Sequence, residues 1–222
     1  WNWEIHENFA EGTYYFLEED LKNKLDLEEM RRGAIVPDKE FKDFVRHHYP
    51  YSYEQALIWL DKSKEAYENE DYKNSSYFFG IASHYITDSF SSPHNIKGEE
   101  GKFHQKYENS ASFEAVSFNC LNKDFELEKE LSGAVDTGKD WELWLETRDN
   151  KIIKKHLEKS FEVLFFTASE VYGSDCVLKT VVDYEDEKIF YSLENLSFKK
   201  ISLISVISAL VILLTCSLIK EI

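Results

Sequence analysis

Residues 72 to 90 (YKNSSYFFGIASHYITDSF) place the strongest constraint on the fold. Apolar side chains recur at Tyr77, Phe78, Phe79, Ile81, Ala82, Tyr85 and Ile86, which predicts a helix with a wide apolar face that crosses a protein interior. His84 and Asp88 stand at i and i+4 on it and therefore project from one face. A buried carboxylate is tolerated only with a counterion or a full set of hydrogen bonds. Any fold that buries this helix must bring such groups to Asp88.

The rest of the body reads the same way. Helical spacing of apolar residues marks 3 to 25, 53 to 68, 102 to 121 and 140 to 172, and the last runs on to Gly173. With 8 Gly and 3 Pro among 222 residues, breakers are scarce. Only VLKTVVDY, 177 to 184, shows the alternation of a strand. The expected class is all-α, with one domain over residues 1 to 172 and an acidic, mixed stalk over 173 to 200. Residues 201 to 219 (ISLISVISALVILLTCSLI) carry no charge. As a helix they would span about 28 Å, close to the roughly 30 Å of a bilayer core, so a transmembrane anchor is expected there. The first residue is Trp1 rather than Met, which predicts removal of a leader and a body held outside the cytoplasm. Cys120 and Cys176 could pair in an exported domain, although their spacing does not require it.

The net charge of −16 opposes nonspecific binding to nucleic acid phosphates and simple adsorption on anionic lipid. Bound divalent cations would offset part of it. Candidate ligands for them cluster around the 72 to 90 helix. His84, Asp88 and His94 are followed by His104 and Glu108, a second i,i+4 pair. Pro93 disfavours helix at Ser92, so the first helix ends before it and His94 falls on a turn. Imidazole with carboxylate is the donor set that favours zinc and related ions.

The pattern H-x(3)-D-x(5)-H-x(9)-H-x(3)-E, with a proline just before its third member, resembles the bacterial zinc-dependent phospholipase C family. That family is helical and starts with tryptophan, whose amino group and carbonyl oxygen bind a metal. The resemblance extends over roughly residues 1 to 172 and implies three zinc ions. By it, Asp38, at the end of GAIVPD, joins His47, His84 and Asp88 around one. Trp1, His6 and a shared Asp88 hold a second, and His94, His104 and Glu108 a third. His48 is the alternative to His47, and His156 has no role. Asp38 would serve as general base as well as ligand, or as ligand alone. The chain departs from the family in its short Asp38 to His47 interval and in Lys39, where relatives that favour choline headgroups have an aromatic residue. Glu4 coincides with a headgroup-contacting carboxylate.

The activity so implied is hydrolysis of a phospholipid to diacylglycerol, or its ether analogue, and a phosphorylated headgroup. Two other readings compete. Fungal single-strand nucleases share the fold and the early tryptophan and histidine, but typically close their ligand set with HxxxD after a longer interval. A noncatalytic zinc-binding ectodomain would need fewer ligands than these nine, since one closed tetrahedral site suffices for structure.

Overall fold

The computed structural model describes residues 1–98, 101–113 and 125–174 in full, and the backbone of 179–184 and 187–192. The helices run α1 (Trp3–Phe16), α2 (Glu19–Lys22), α3 (Leu27–Val36), α4 (Tyr51–Glu68), α5 (Tyr72–Asp88), α6 (Gly101–Asn109), α7 (Leu127–Ala134), α8 (Lys139–Thr147) and α9 (Asn150–Tyr172). A π-helical turn, Pro37–Phe41, follows α3, and 3-10 turns occupy Ser92–Asn95 and Val135–Gly138.

The helix expected to cross the interior does so. From Phe79 to Asp88 every residue of α5 is buried, and α1, α3, α4 and α9 pack around it. Asp71 starts α5 by accepting from the Asn74 amide at 3.3 Å, and the helix stops at Asp88, four residues short of Ser92. The core wrapped around it is aromatic. Phe9, Phe16, Phe79, Tyr85, Phe161 and Phe165 are all fully buried in one cluster.

Two of the long helical stretches are each split. The 3 to 25 stretch breaks at Leu17, whose backbone is extended (ψ 161°). Phe16, Leu17, Leu21 and Leu25 are all buried, and a straight helix would spread them around too much of its circumference for one face to hold. The break also places Glu19 and Asp20 in the first turn of α2, where the helix dipole favours acidic groups. The 140 to 172 stretch breaks at Arg148, which is left-handed (φ 54°), and Asp149 then caps α9 by accepting from the Lys151 amide at 2.9 Å. Periodicity registered the apolar faces but not these turns.

The body through Tyr172 is helical, as the all-α expectation holds. Beyond it, β1 (Lys179–Tyr184) pairs antiparallel with β2 (Glu187–Ser192), with Lys179 opposite Ser192 and Tyr184 opposite Glu187. The hairpin lies within the segment read as a stalk, at the place where β-branched alternation was visible. Residues 201–219 and Cys120, Cys176 and Cys216 lie outside the described residues. Among the described residues no helix is long and apolar enough to cross a membrane.

One contact fixes where α3 lies on α5. Gly33 and Gly80 face each other, and a Cβ built on either would come within 3.0 Å of the other's Cα. On Gly80 it would also meet the Met30 carbonyl at 2.1 Å, and on Gly33 the Tyr77 carbonyl at 2.2 Å. Neither backbone can yield without separating the helices, and α3 leads directly into the turn bearing Asp38. Gly80→Ala is therefore expected to destabilise the fold by about 3 kcal/mol or more. Gly133→Ala, in α7 with nothing within 4 Å of the added Cβ, should instead stabilise by about 0.5 kcal/mol. Thermal unfolding of the two variants checks the contrast.

Candidate metal centre

Six segments deliver polar groups to one cleft. The start of α1 brings Trp1 and His6, the π-helical turn Asp38, and the loop before α4 His47. The end of α5 brings His84 and Asp88, the 3-10 turn His94, and α6 His104 and Glu108. A π-helical turn at Asp38 fits a pattern in which such irregular turns occur at functional sites.

Asp88 lies at the centre and is almost wholly buried. Its Oδ1 accepts from the α-amino group of Trp1 and lies 3.2 Å from His6 Nε2. Its Oδ2 lies 2.8 Å from His47 Nδ1, 3.4 Å from His94 Nε2 and 3.5 Å from His84 Nε2. Asp38 Oδ1 faces His84 Nε2 at 3.6 Å and His47 Nε2 at 3.8 Å. Glu108 Oε1 faces the Trp1 amino group at 2.9 Å, His104 Nε2 at 3.0 Å and His94 Nε2 at 3.4 Å.

Four overlapping sets have donor atoms within 4.8 Å of one another: His6, His84 and Asp88; Asp38, His47 and His84; His47, Asp88 and His94; His94, His104 and Glu108. All nine expected residues thus meet in one cleft, although the sets share more members than a division into three separate groups implies. His48 belongs to none of these sets and packs edge-on against Tyr51 at 5.6 Å. Glu4 is exposed, and the Lys39 ammonium lies 5.8 Å from the Trp3 ring.

The donors fit metal ions by an independent criterion. The Nε2 atoms of His6, His47, His84 and His94 are buried with no hydrogen-bond partner, in a protein interior where such atoms are normally satisfied. Hydrogen bonds at the far nitrogen orient two of these rings. His84 Nδ1 donates to the Ala34 carbonyl at 2.8 Å, which leaves the Nε2 lone pair facing Asp38 and Asp88. The Thr87 hydroxyl donates to the Ser83 carbonyl at 2.9 Å, so His6 Nδ1 donates to Thr87 Oγ1 at 3.2 Å and its Nε2 is likewise free.

Sequence reasoning missed these supporting groups and Asp43. That buried carboxylate accepts from Tyr85 Oη at 2.8 Å, from Arg46 Nε at 2.8 Å, and from the backbone amides of Val45 and Arg46 at 3.3 and 3.2 Å, which ties the His47 loop to α5. A DxxR run before a histidine was the available signal. His156, given no role, donates from Nε2 to Asp140 Oδ2 at 3.0 Å and accepts at Nδ1 from Tyr107 Oη at 2.6 Å, and the Tyr107 ring stacks on Trp1 at 5.6 Å.

Burial and charge set the protonation of the cluster. Burial pushes His94 down to about 4, against the pull of Asp88. Burial and then His6 push His84 well below its ordinary value, so both rings are neutral with lone pairs available. Burial also works against the Trp1 ammonium, but Asp88 and Glu108 outweigh it and raise its pKa to about 10. Burial would raise Asp88, but the Trp1 ammonium and the surrounding histidines hold it well below the usual carboxylate range. Burial and the Asp88 charge both raise Asp38.

The cavity above the cluster has a volume of about 540 Å³, within the range of small-molecule sites. A second cavity of about 500 Å³ borders His156, but its Lys155 and Lys159 are paired with Asp140 and Glu130 at 3.0 and 2.9 Å.

A helical body that gathers four histidines with open Nε2 atoms and three carboxylates presents a donor set that could hold metal ions. Residues 5–159 match the sequence model of zinc dependent phospholipase C, and the chain belongs to that family. Membership supports a phospholipase-type hydrolase. No curated protein matches the chain.

A zinc ion held by the Trp1 amine, as the family resemblance implies, would displace its proton, so zinc uptake through that group should release protons and tighten as pH rises towards about 10. The metal-free fold should behave oppositely. The raised amine pKa contributes stability in full below pH 8.0, and that contribution is lost as pH climbs through about 10. Calorimetric zinc titration and Tm of the metal-free chain between those values test both signs. If three zinc ions bind as the resemblance implies, with Asp88 shared by two of them, Asp88→Asn should remove two zinc equivalents, whereas His104→Ala should remove one. Metal analysis of the purified variants distinguishes them.

Proposed function

We propose that the protein is a zinc-dependent phosphodiesterase that hydrolyses phospholipids to diacylglycerol, or its ether analogue, and a phosphorylated headgroup. The observation that carries this reading is the set of four buried, unpartnered imidazole Nε2 atoms facing three carboxylates beneath an open cavity. Trp1, His6, Asp38, His47, His84, Asp88, His94, His104 and Glu108 would hold the ions, for which three is the proposed number. Zinc, when bound, supplies Lewis acidity and lowers the pKa of a coordinated water to about 7.

The side chains divide the remaining work by exposure. Asp88 is sealed beneath the other groups and can only hold and orient them. Asp38 retains access to the cleft, with 18% of its side chain exposed, and its pKa is raised by burial and by Asp88. A carboxylate so placed is suited to take a proton from a water attacking phosphorus. The cavity of about 540 Å³ above the neutral His84 and His94 rings has room for a diester anion. An anchor at 201–219, proposed from its apolar run, would hold this mouth beside a bilayer and raise the effective substrate concentration.

Release of phosphorylated headgroup from a phospholipid panel, measured beside cleavage of single-stranded DNA, tests the proposal. Chelator should abolish headgroup release and zinc restore it, with DNA left intact. Asp38→Asn should lower kcat by about 10²-fold or more with less effect on KM. DNA cleavage with untouched lipid would move the protein to the nuclease reading.

A further inference from the structure

Beside the cleft lies a surface that the chemistry of the cluster does not use. Phe44 and Val45, consecutive in the His47 loop, are each 70% exposed. Trp3, Phe41 and Tyr51 add exposed rings at 48%, 43% and 47%. Phe41, Phe44, Val45 and Tyr51 all lie on the segment that runs from the Asp38 turn through His47 into α4, and Lys39 of that segment lies 5.8 Å from the Trp3 ring, so they form one rim. Phe41 stacks on Trp59 at 5.7 Å, Tyr51 meets His48, and Phe44 and Val45 form part of the cavity wall.

The rim is held open. Asp43 clamps the loop from below through its bonds to the Val45 and Arg46 amides and to Tyr85 of α5, so Phe44 and Val45 cannot fold back to bury themselves. Adjacent apolar side chains fixed in water mark a surface that is covered in use. The cations interleaved with them narrow what covers it. Lys39 lies over Trp3, Lys62 lies 4.0 Å over the Trp59 ring, and Lys42 and Arg46 flank Phe44 and Val45. Along residues 39–46 the exposed charges are Lys39, Lys42 and Arg46, the last paired with Asp43 at 2.8 Å, against Glu40, while Glu4 and Glu54 are the exposed carboxylates nearest in sequence to Trp3 and Tyr51.

We infer that the rim formed by Trp3, Phe41, Phe44, Val45 and Tyr51 docks on a phospholipid bilayer, with its cations on the phosphates and the cavity mouth facing the headgroups. Aromatic rings interleaved with Lys and Arg match the layered polarity of a bilayer interface. Continuity with the cleft supplies the geometry, because the same two side chains that would enter the interface wall the cavity. This inference rests on the lipid-hydrolysis reading, and extends it to how substrate is presented.

The test uses the full chain, so that residues 201–219 are present in every protein compared. Rates are measured on a short-chain phospholipid dispersed as monomers and on vesicles of the same headgroup mixed with an anionic phospholipid. Phe44→Ser/Val45→Ser should lower the ratio of vesicle to monomer rate by at least about tenfold, through lost apolar burial at the interface. Val45→Trp should raise that ratio, and its added indole should be quenched by vesicles of brominated lipid beyond the quenching seen in the parent chain. An unchanged ratio in the double variant together with no added quenching overturns the docking surface while leaving lipid hydrolysis intact. Added quenching in a chain that cleaves neither substrate form upholds the surface and removes the hydrolysis reading instead.

Discussion

Asp88 is a carboxylate buried at the end of the most apolar helix, and the architecture around it answers that placement. An isolated charge at such a depth is strongly unfavourable, whereas a carboxylate ringed by donors and cations is held in its ionised form. The Trp1 ammonium on one oxygen and His47 on the other provide that ring in the metal-free chain. The same oxygens face His6, His84 and His94, whose Nε2 atoms have no partner of their own. The fold thus converges on one anion from the chain start, from α5 itself and from two turns. Loss of any one contributor leaves a deficit at a carboxylate that is almost wholly buried.

The scaffold that permits this is a close helix crossing. Gly33 and Gly80 let α3 approach α5 at backbone contact, and the Ala34 carbonyl then reaches His84 Nδ1. A side chain at either glycine would move that carbonyl away and release the ring from its tautomer. Asp38 lies only a few residues further along, on the π-helical turn that continues α3. Helix packing and ligand geometry are therefore one constraint here, which is why a methyl group far from the chemistry can disturb it.

This division explains what the residues disclosed on their own. His84 with Asp88, and His104 with Glu108, were legible because helical spacing alone puts each pair on one face. The end of α5 before Pro93 was legible from steric exclusion at Ser92. His6, Asp38, His47 and Trp1 carry no local signal of that kind, and only likeness to a family pointed to them. The breaks at Leu17 and Arg148 escaped a periodicity argument because apolar spacing reports which residues are buried and not whether one straight axis buries them. The Ala34 carbonyl, Thr87 and Asp43 escaped it too. Their importance arises from tertiary neighbours 50, 81 and 42 residues away.

The strongly acidic composition and a phosphodiester substrate are compatible once distance is considered. Charges on the exposed surface are largely screened beyond a Debye length of about 8 Å at physiological ionic strength, whereas groups inside the cleft act at contact range in a lower dielectric. The sign felt by an entering anion is accordingly set by the cluster and its rim rather than by the total of −16. Within the cluster, His84 and His94 are held neutral by burial, and the negative charge of Asp88 and Glu108 is met by the Trp1 ammonium and by the imidazoles. At the rim Lys39 and Lys42 are interleaved with the exposed aromatic rings, and Arg46 is paired with Asp43. On the proposed docking of this rim to a bilayer, net acidity elsewhere on the body would act in the opposite sense, disfavouring contact of other faces with anionic lipid.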